Sequence, residues 1–565
     1  MRSLIEGVVA DAIAAAIRSG ELALPVAPTL AEVAAVVERP RDPSHGDWAC
    51  TIALRLAREL KRSPREIAEV IAAHIPQAQQ AALIASVEVA GPGFINLRLA
   101  DAALHQVIRD AREQGEHFGR IDTGQGRTVN IEFISANPTG PMHVGHGRWA
   151  ALGNALCNVC EHAGWQVTRE FYVNDAGRQM DVFGHSVALR YLELLGESIT
   201  MPEDSYGGAY VRDIAQQILN EEGDVWRAAD EAARDEHFRE RGYELMLTHM
   251  QELCERIGVP FHVWFSERTL YEKGPQGGAS PVEAMLAALE ERGYLYEKDG
   301  ATWFRTTDFG DDKDRVLIKA DGSYTYFAPD IAYHLSKYER GSEYLINIWG
   351  ADHHGYIPRM QAACEALGHG GTLEVVLGQL VNLYRDGEAV RMSKRTGEMI
   401  TFEELVDEVG ADATKYLMLS RSTDQPIDFD IEVAKKQDAS NPVYYVQYAH
   451  ARICSILHKA DVAAASQVLA AADLALLTDP AELELARLFS QLAEVIEGAA
   501  RDLAPFRLAR YAEDLATGFH SFYTRCQVIG DDENLTRSRL YLADATRSVL
   551  SLVLNLLGVS APERM

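Results

Sequence analysis

One strand–loop–helix–strand run between Val129 and Val173 constrains the fold more than anything else in the chain. Val129-Asn130-Ile131-Glu132-Phe133-Ile134 reads as a short, largely apolar strand. Asn137-Pro138-Thr139-Gly140-Pro141 is turn chemistry, with fixed-φ prolines beside a permissive glycine. From His143 the pattern turns helical, because Trp149, Leu152, Leu156, Val159 and Ala163 recur at three- and four-residue spacing. Gly164 ends that helix and Trp165–Val173 resumes as strand. The polar residues of this βαβ unit cluster where the loop enters the helix. Unpaired backbone N–H groups and the positive helix end face outward there, which makes a phosphate site.

His143 and His146 lie one helical turn apart, so both imidazoles can face one ligand, while Gly145 lets that ligand approach the backbone. Paired imidazoles there stabilise charge developing on transferring phosphates. Taken alone, H-x-G-H fits equally well a surface helix that happens to carry two histidines.

A chain of 565 residues suggests several domains. With 47% hydrophobic and 24% charged residues the composition is that of soluble globular protein and excludes a mainly disordered chain. No apolar run approaches the roughly 20 residues that span a bilayer. The first twenty residues carry Glu6 and Asp11 inside their apolar pattern, an amphipathic helix and not a signal peptide. Seven scattered cysteines include one C-x-x-C, Cys157–Cys160, with no second pair nearby, so the expectation is thiols without zinc in a reduced, cytoplasmic protein. The net charge of −29 excludes only a globally basic nucleic-acid binder, since a local basic patch suffices to hold one folded RNA.

Residues 1–112 read as a separate α/β module, an appended recognition module or a structural cap: helical patterns fill the first forty residues, Ser63-Pro64-Arg65-Glu66 opens a helix, and Val87–Leu99 reads as a bent hairpin or strand pair. Residues 200–310 are helical and densely charged, an insertion between two halves of a nucleotide fold. Near 315 the α/β pattern returns, with strands expected at Val316–Lys319, Tyr324–Phe327, Glu343–Trp349 and Leu373–Leu383, and a helix opening at Pro329. Gly350-Ala351-Asp352-His353-His354-Gly355 ends one of these strands, at the edge where open α/β sheets bind ligands. Val390-Arg391-Met392-Ser393-Lys394-Arg395-Thr396-Gly397 is a compliant basic loop that can bring an ammonium onto a polyphosphate. From about 400 onward only helical periodicity is expected. Tyr444, Tyr445 and Tyr448 fall near one helix face, and Arg501, Arg507, Arg510, Arg525, Arg537, Arg539 and Arg547 make that tail the place for a basic patch.

H-V-G-H at the start of the nucleotide fold and R-M-S-K-R at its end resemble the two signatures of class I aminoacyl-tRNA synthetases. Within that class EFISANPTGPMHVGHGR, EFYVNDAG, YFAPDIAYH, NIWGADHHGYIPRM, VRMSKRTG and NPVYYVQYAHARI resemble the arginyl-tRNA synthetases, over the whole chain. The resemblance implies a Rossmann-type parallel-sheet catalytic domain over 113–400, with a helical insertion at about 200–310. It also implies an N-terminal α/β module that touches the tRNA elbow, and a C-terminal all-α bundle over 401–565 for the tRNA stem and anticodon. It implies activation of L-arginine with ATP and Mg2+ as a substrate complex, transfer to the terminal adenosine of tRNA(Arg), tRNA-dependent activation, a monomer, and no resident metal, prosthetic group or membrane partner. His143, Gly145, His146, Gly350, Asp352, His353, Met392 and Lys394 would hold ATP, with His143, His146 and Lys394 catalytic and Arg391 supporting. Ser135 and Asn137 would take the amino acid's α-groups, and Glu132, Tyr326 and Asp330 its guanidinium. That choice agrees with the chemistry, because a planar, permanently charged fork calls for carboxylates that accept paired hydrogen bonds.

Three rival readings stand against that expectation. A synthetase for another amino acid is opposed by the missing zinc ligands, for cysteine, and by Glu132 and Asp330, for an acidic substrate. A small-molecule nucleotidyltransferase is a short chain without a helical tail. A catalytically dead RNA-binding or scaffold protein should have lost one of His143, His146 and Lys394.

Overall fold

The computed structural model describes residues 1–75, 82–390, 400–460 and 472–565. The N-terminal region is built on a four-stranded antiparallel sheet in the order β1-β2-β4-β3: β1 (Val37–Glu38), β2 (Trp48–Cys50), β3 (Ile84–Ala90) and β4 (Phe94–Leu99). Helices Arg2–Arg18 and Pro64–Ala73 pack on each other beside it. Cross-links tie this region to the C-terminal helices. Arg39 pairs with Glu494 at 2.8 Å, Arg112 with Asp544 at 2.8 Å, and Arg487 with Asp47 at 3.0 Å.

The central sheet is wholly parallel. Its members are β5 (Thr128–Glu132), β6 (Gln166–Val173) and β7 (Val263–Ser266), then, after a small antiparallel sheet of β8 (Leu295–Lys298), β9 (Ala301–Phe304) and β10 (Arg315–Ile318), β11 (Tyr344–Gly350) and β12 (Leu373–Gly378). The order is β12-β11-β5-β6-β7. The chain runs outward from β5 in one direction and later returns on its other side, so the crevice beyond the carboxyl ends of β5 and β11 is the ligand position of an open α/β sheet.

The helix Val144–His162 follows β5 and is buried on nearly every face. A Cβ at Gly153 would lie 2.1 Å from the Phe133 ring, so only glycine lets the helix rest this closely on the chain leaving β5. Arg148 on the same helix is 2% exposed and donates to three main-chain carbonyls, Gln379 (2.8 Å), Ser422 (2.9 Å) and Gln425 (2.8 Å).

Several expected elements differ. Within 200–310, read as helical, the helices are Ala209–Glu222, Glu231–Arg256 and Pro281–Glu291, but β7 belongs to the main sheet and β8 and β9 to the small antiparallel one. Its apolar run stacks Trp264 on Phe171 at 4.4 Å, which draws it to the sheet edge. Tyr324–Phe327 is not a strand: one bridge joins Ile318 to Tyr324, and the helix opens at Phe327, two residues before Pro329. Leu373–Leu383 is two strands in two sheets, β12 and then β13 (Val381–Arg385), which pairs with β14 (Glu388–Ala389) and, in parallel, with β15 (Ile427–Asp430). β15 interrupts the otherwise helical chain beyond 400. Ile427 and Phe429 are buried while Asp428 is exposed, an alternation too short to stand out among long helices.

Candidate active site

The carboxyl end of β5 is bent by two consecutive residues in the left-handed region, Ile134 at φ 67° and Ser135 at φ 46°. Such backbone costs about 1–3 kcal/mol per residue and persists only where its surroundings fix it. Here they do. Ser135 Oγ donates to Glu132 Oε1 at 2.9 Å and accepts the Tyr172 N–H at 3.1 Å.

The turn then delivers His143 to the N-cap of the helix Val144–His162. The imidazoles of His143 and His146 stack at 3.7 Å, with Trp149 edge-on at 5.2 Å from His146. The His143 N–H donates to His146 Nδ1 at 3.1 Å, which puts the proton of a neutral His146 ring on Nε2. A Cβ at Gly145 would meet the His143 ring at 2.9 Å, so glycine is what lets that ring fold over the backbone. Across the crevice Gly350 ends β11 and caps the 3₁₀ turn that carries Asp352 and His353, both side chains exposed. Ser135, Asn137, His143, His146, Gly350 and His353 all line one open cleft of about 1100 Å³. Gly145, Glu132, Tyr326, Asp330 and Asp352 are not part of its wall. Asn137 is held by its Nδ2 donating to Gln179 at 2.9 Å. Lys394, Met392 and Arg391 lie outside the described residues. Just beyond them Thr401 bridges His143, and the Phe402 N–H donates to Met142 at 2.8 Å.

The carboxylates expected to share a guanidinium are in different states. Glu132 is 6% exposed and already paired, with Lys337 Nζ at 2.6 Å. Asp330 has no ion pair among the described residues; it accepts the Tyr356 hydroxyl, and burial, then Glu267 and Glu132, push its carboxyl up to about 7. Glu267, just after β7, is a further candidate that sequence reasoning did not single out. It is 8% exposed, accepts from Tyr271 at 3.2 Å and from Tyr172, and is raised by burial. Among the described residues it too lacks an ion pair. The phenol of Tyr172 is raised by burial and then by Glu267, Asp330 and Glu132, so it stands amid all three. Tyr326, at the N-cap of the helix that carries Asp330, is 90% exposed.

Two further expectations are answered by geometry. Cys157 and Cys160 are free, buried thiols, and burial pushes Cys160 up to about 12. Several tail arginines stand in ion pairs: Arg501 and Arg507 share Asp502, Arg539 meets Glu482, and Arg547 meets Asp544.

Three family models match the chain: an arginyl tRNA synthetase N-terminal domain over residues 3–99, a class I (R) tRNA synthetase catalytic domain over 108–454, and a DALR anticodon-binding domain over 446–565. An arginine–tRNA ligase of Moorella thermoacetica is 47% identical over 557 residues, covering 98% of this chain and 97% of that one. One from Syntrophotalea carbinolica is 48% identical over 531 residues, 94% of each. The solved arginyl-tRNA synthetase of Thermus thermophilus has the same fold, with a TM-score of 0.72 at 23% identity over the full length of both chains. The chain belongs to the arginyl-tRNA synthetase family of the class I aminoacyl-tRNA synthetases.

Proposed function

We propose that the chain activates L-arginine with ATP, which enters as its magnesium complex, and transfers the arginyl group to the terminal adenosine of tRNA(Arg). The observation that carries the amino-acid choice is the pair of buried carboxylates, Asp330 and Glu267, that no side-chain cation neutralises among the described residues. A guanidinium is the cation that fits: planar, always charged, and able to donate two hydrogen bonds to each carboxylate. Tyr172, Tyr271 and Tyr356 supply the walls and direct hydroxyls at those carboxylates. Ser135 and Asn137 hold the α-groups, and Glu132 acts on Ser135 instead of on the guanidinium.

An arginine lying along this edge presents its carboxylate toward the His143–His146 pair. A carboxylate oxygen attacks the α-phosphorus of ATP while the bond to pyrophosphate breaks. His143 and His146, with the backbone beside Gly145, take up charge on the phosphates. Gly350, Asp352 and His353 hold the nucleoside edge, and Lys394, with Met392 beside it, follows the departing pyrophosphate. The 2′-hydroxyl of the terminal adenosine then attacks the adenylate carbonyl and AMP leaves.

Activation awaits tRNA in this reading. Residues 1–112 hold the tRNA elbow and residues 401–565 its stem and anticodon, with Tyr448, 37% exposed and under the Arg452 guanidinium, offering a stacking face. The enzyme acts as a monomer in the cytoplasm. ATP–pyrophosphate exchange across the amino acids, with and without tRNA, tests the reading. The expected result is exchange with arginine alone and only when tRNA is present. Exchange with another amino acid overturns the pocket, and arginine exchange without tRNA overturns the tRNA requirement.

A further inference from the structure

Lys337 is fully buried on the helix Phe327–Glu339, beneath the amino-acid pocket. Its Nζ donates to Glu132 Oε2 at 2.6 Å and to Asn347 Oδ1 at 3.0 Å, and lies 4.4 Å over the Tyr333 ring. Glu132 and Asn347 are directly paired residues of β5 and β11, so one ammonium from the covering helix clamps the two central strands. A buried ion pair of this kind is weak evidence for stability, because burial penalises both charges. Its value has to be sought in what it holds.

The contacts run in both directions from Lys337. On one side Glu132 accepts from Ser135 Oγ at 2.9 Å and so fixes the strained left-handed turn. On the other, Asn347 Nδ2 is 2.7 Å from His334 Nε2, and His334 Nδ1 is 2.7 Å from the Asp330 carbonyl. Those two contacts require one tautomer: Nδ1–H donates to Asp330 and Nε2 accepts from Asn347, so the ring is neutral. Burial, then the nearby Lys337 charge, lower His334 to about 3 and keep it so. The relay therefore spans from Ser135 at the α-group end to Asp330 at the side-chain end.

We propose that Lys337 is a positioning residue that sets the span between Ser135 and Asp330, and with it the length of amino acid the pocket accepts. The inference rests on the arginine reading of that pocket. Lys337 touches no substrate; it acts through Glu132 on one end and through Asn347 and His334 on the other.

Steady-state activation kinetics with tRNA present test this in the full-length enzyme, comparing K337M and the double variant E132Q/K337M with the parent. Arginine-dependent exchange by the parent decides the arginine reading by itself. The variants then decide the role of Lys337. For K337M the KM for arginine rises at least tenfold, the KM for ATP stays within twofold, and the kcat/KM preference for arginine over homoarginine falls at least threefold. E132Q/K337M contains no unpaired buried charge and therefore folds even where K337M does not. Its KM for arginine rises about threefold or more, its KM for ATP is unchanged, and its preference over homoarginine falls. The proposal is overturned if both KM values rise together, if the homoarginine preference is unchanged, or if the double variant keeps the parent's KM for arginine.

Discussion

Two sets of buried carboxylates surround the central sheet, and they have opposite fates. Inside the sheet Glu170 is fully buried yet answered by Arg340 at 2.7 and 2.8 Å and by Asn130 at 2.6 Å, which hold it below the usual carboxylate range against burial. Glu132 is paired with Lys337 at 2.6 Å. At the carboxyl edge Asp330 and Glu267 are withdrawn from water and, among the described residues, given only tyrosine hydroxyls, and both are raised. The same chemical group is paired where the fold supplies its counter-charge, and in the proposed reading it waits for the substrate's guanidinium where the fold supplies none. Pairing, more than residue type or burial, separates the two.

The sharpest way to break this contrast is to neutralise one carboxylate of each kind. D330N leaves a bound guanidinium short of its partner, and kcat/KM for arginine falls by about 3–5 kcal/mol of binding, roughly a hundred- to several-thousand-fold, with the KM for ATP and the melting temperature little changed. E170Q does the reverse. It leaves Arg340 without a counter-charge and lowers stability by about 2 kcal/mol in urea unfolding, a figure reduced because the Arg340 side chain is a third exposed, while KM for arginine stays near the parent's. If D330N destabilises and E170Q impairs arginine binding, the distinction fails.

Titration sharpens it further. Arginine binding needs Asp330 ionised, so KM for arginine rises as pH falls below about 7, approaching tenfold per unit. The stability sign is opposite. Asp330 holds its proton longer in the folded chain than in the unfolded one, so its contribution to stability declines as pH rises from the ordinary carboxylate range through about 7. Added arginine therefore raises the melting temperature more at pH 8 than at pH 6, which a thermal-shift series measures. The smallest effect belongs to Y356F. It removes a hydroxyl that favours the ionised Asp330, so the acid limb moves upward by less than about one pH unit.

The sequence reveals the parts of the site carried by one continuous stretch. The strand, the turn with its prolines, the histidine pair and the glycine-flanked edge of β11 are local, and local periodicity and turn chemistry expose them. Glu267 and Tyr172 are not local to that stretch. They enter the pocket because β6 and β7 stand side by side beyond β5, and the sheet order is set by tertiary packing. Lys337 is hidden for a related reason: a lysine near a helix C-terminus reads as solvated, and only the juxtaposition of β5 with β11 gives its ammonium two partners. Glu132 and Asp330 are indistinguishable as letters, since nothing in the sequence says which one the fold has already neutralised. Tyr326, four residues before Asp330, is the N-cap of that helix, a position that its spacing alone does not reveal.

The buried guanidinium of Arg148 sets an order in time. Its three acceptors lie 231, 274 and 277 residues further along the chain. On a ribosome, the helix bearing the histidine pair is made long before Gln379, Ser422 and Gln425 exist to hold it. A half-finished chain thus carries the first signature in a helix whose buried guanidinium gains its last acceptor only once residue 425 has been made. Arg148 makes completion of the site a late event in the synthesis of a protein that itself feeds synthesis.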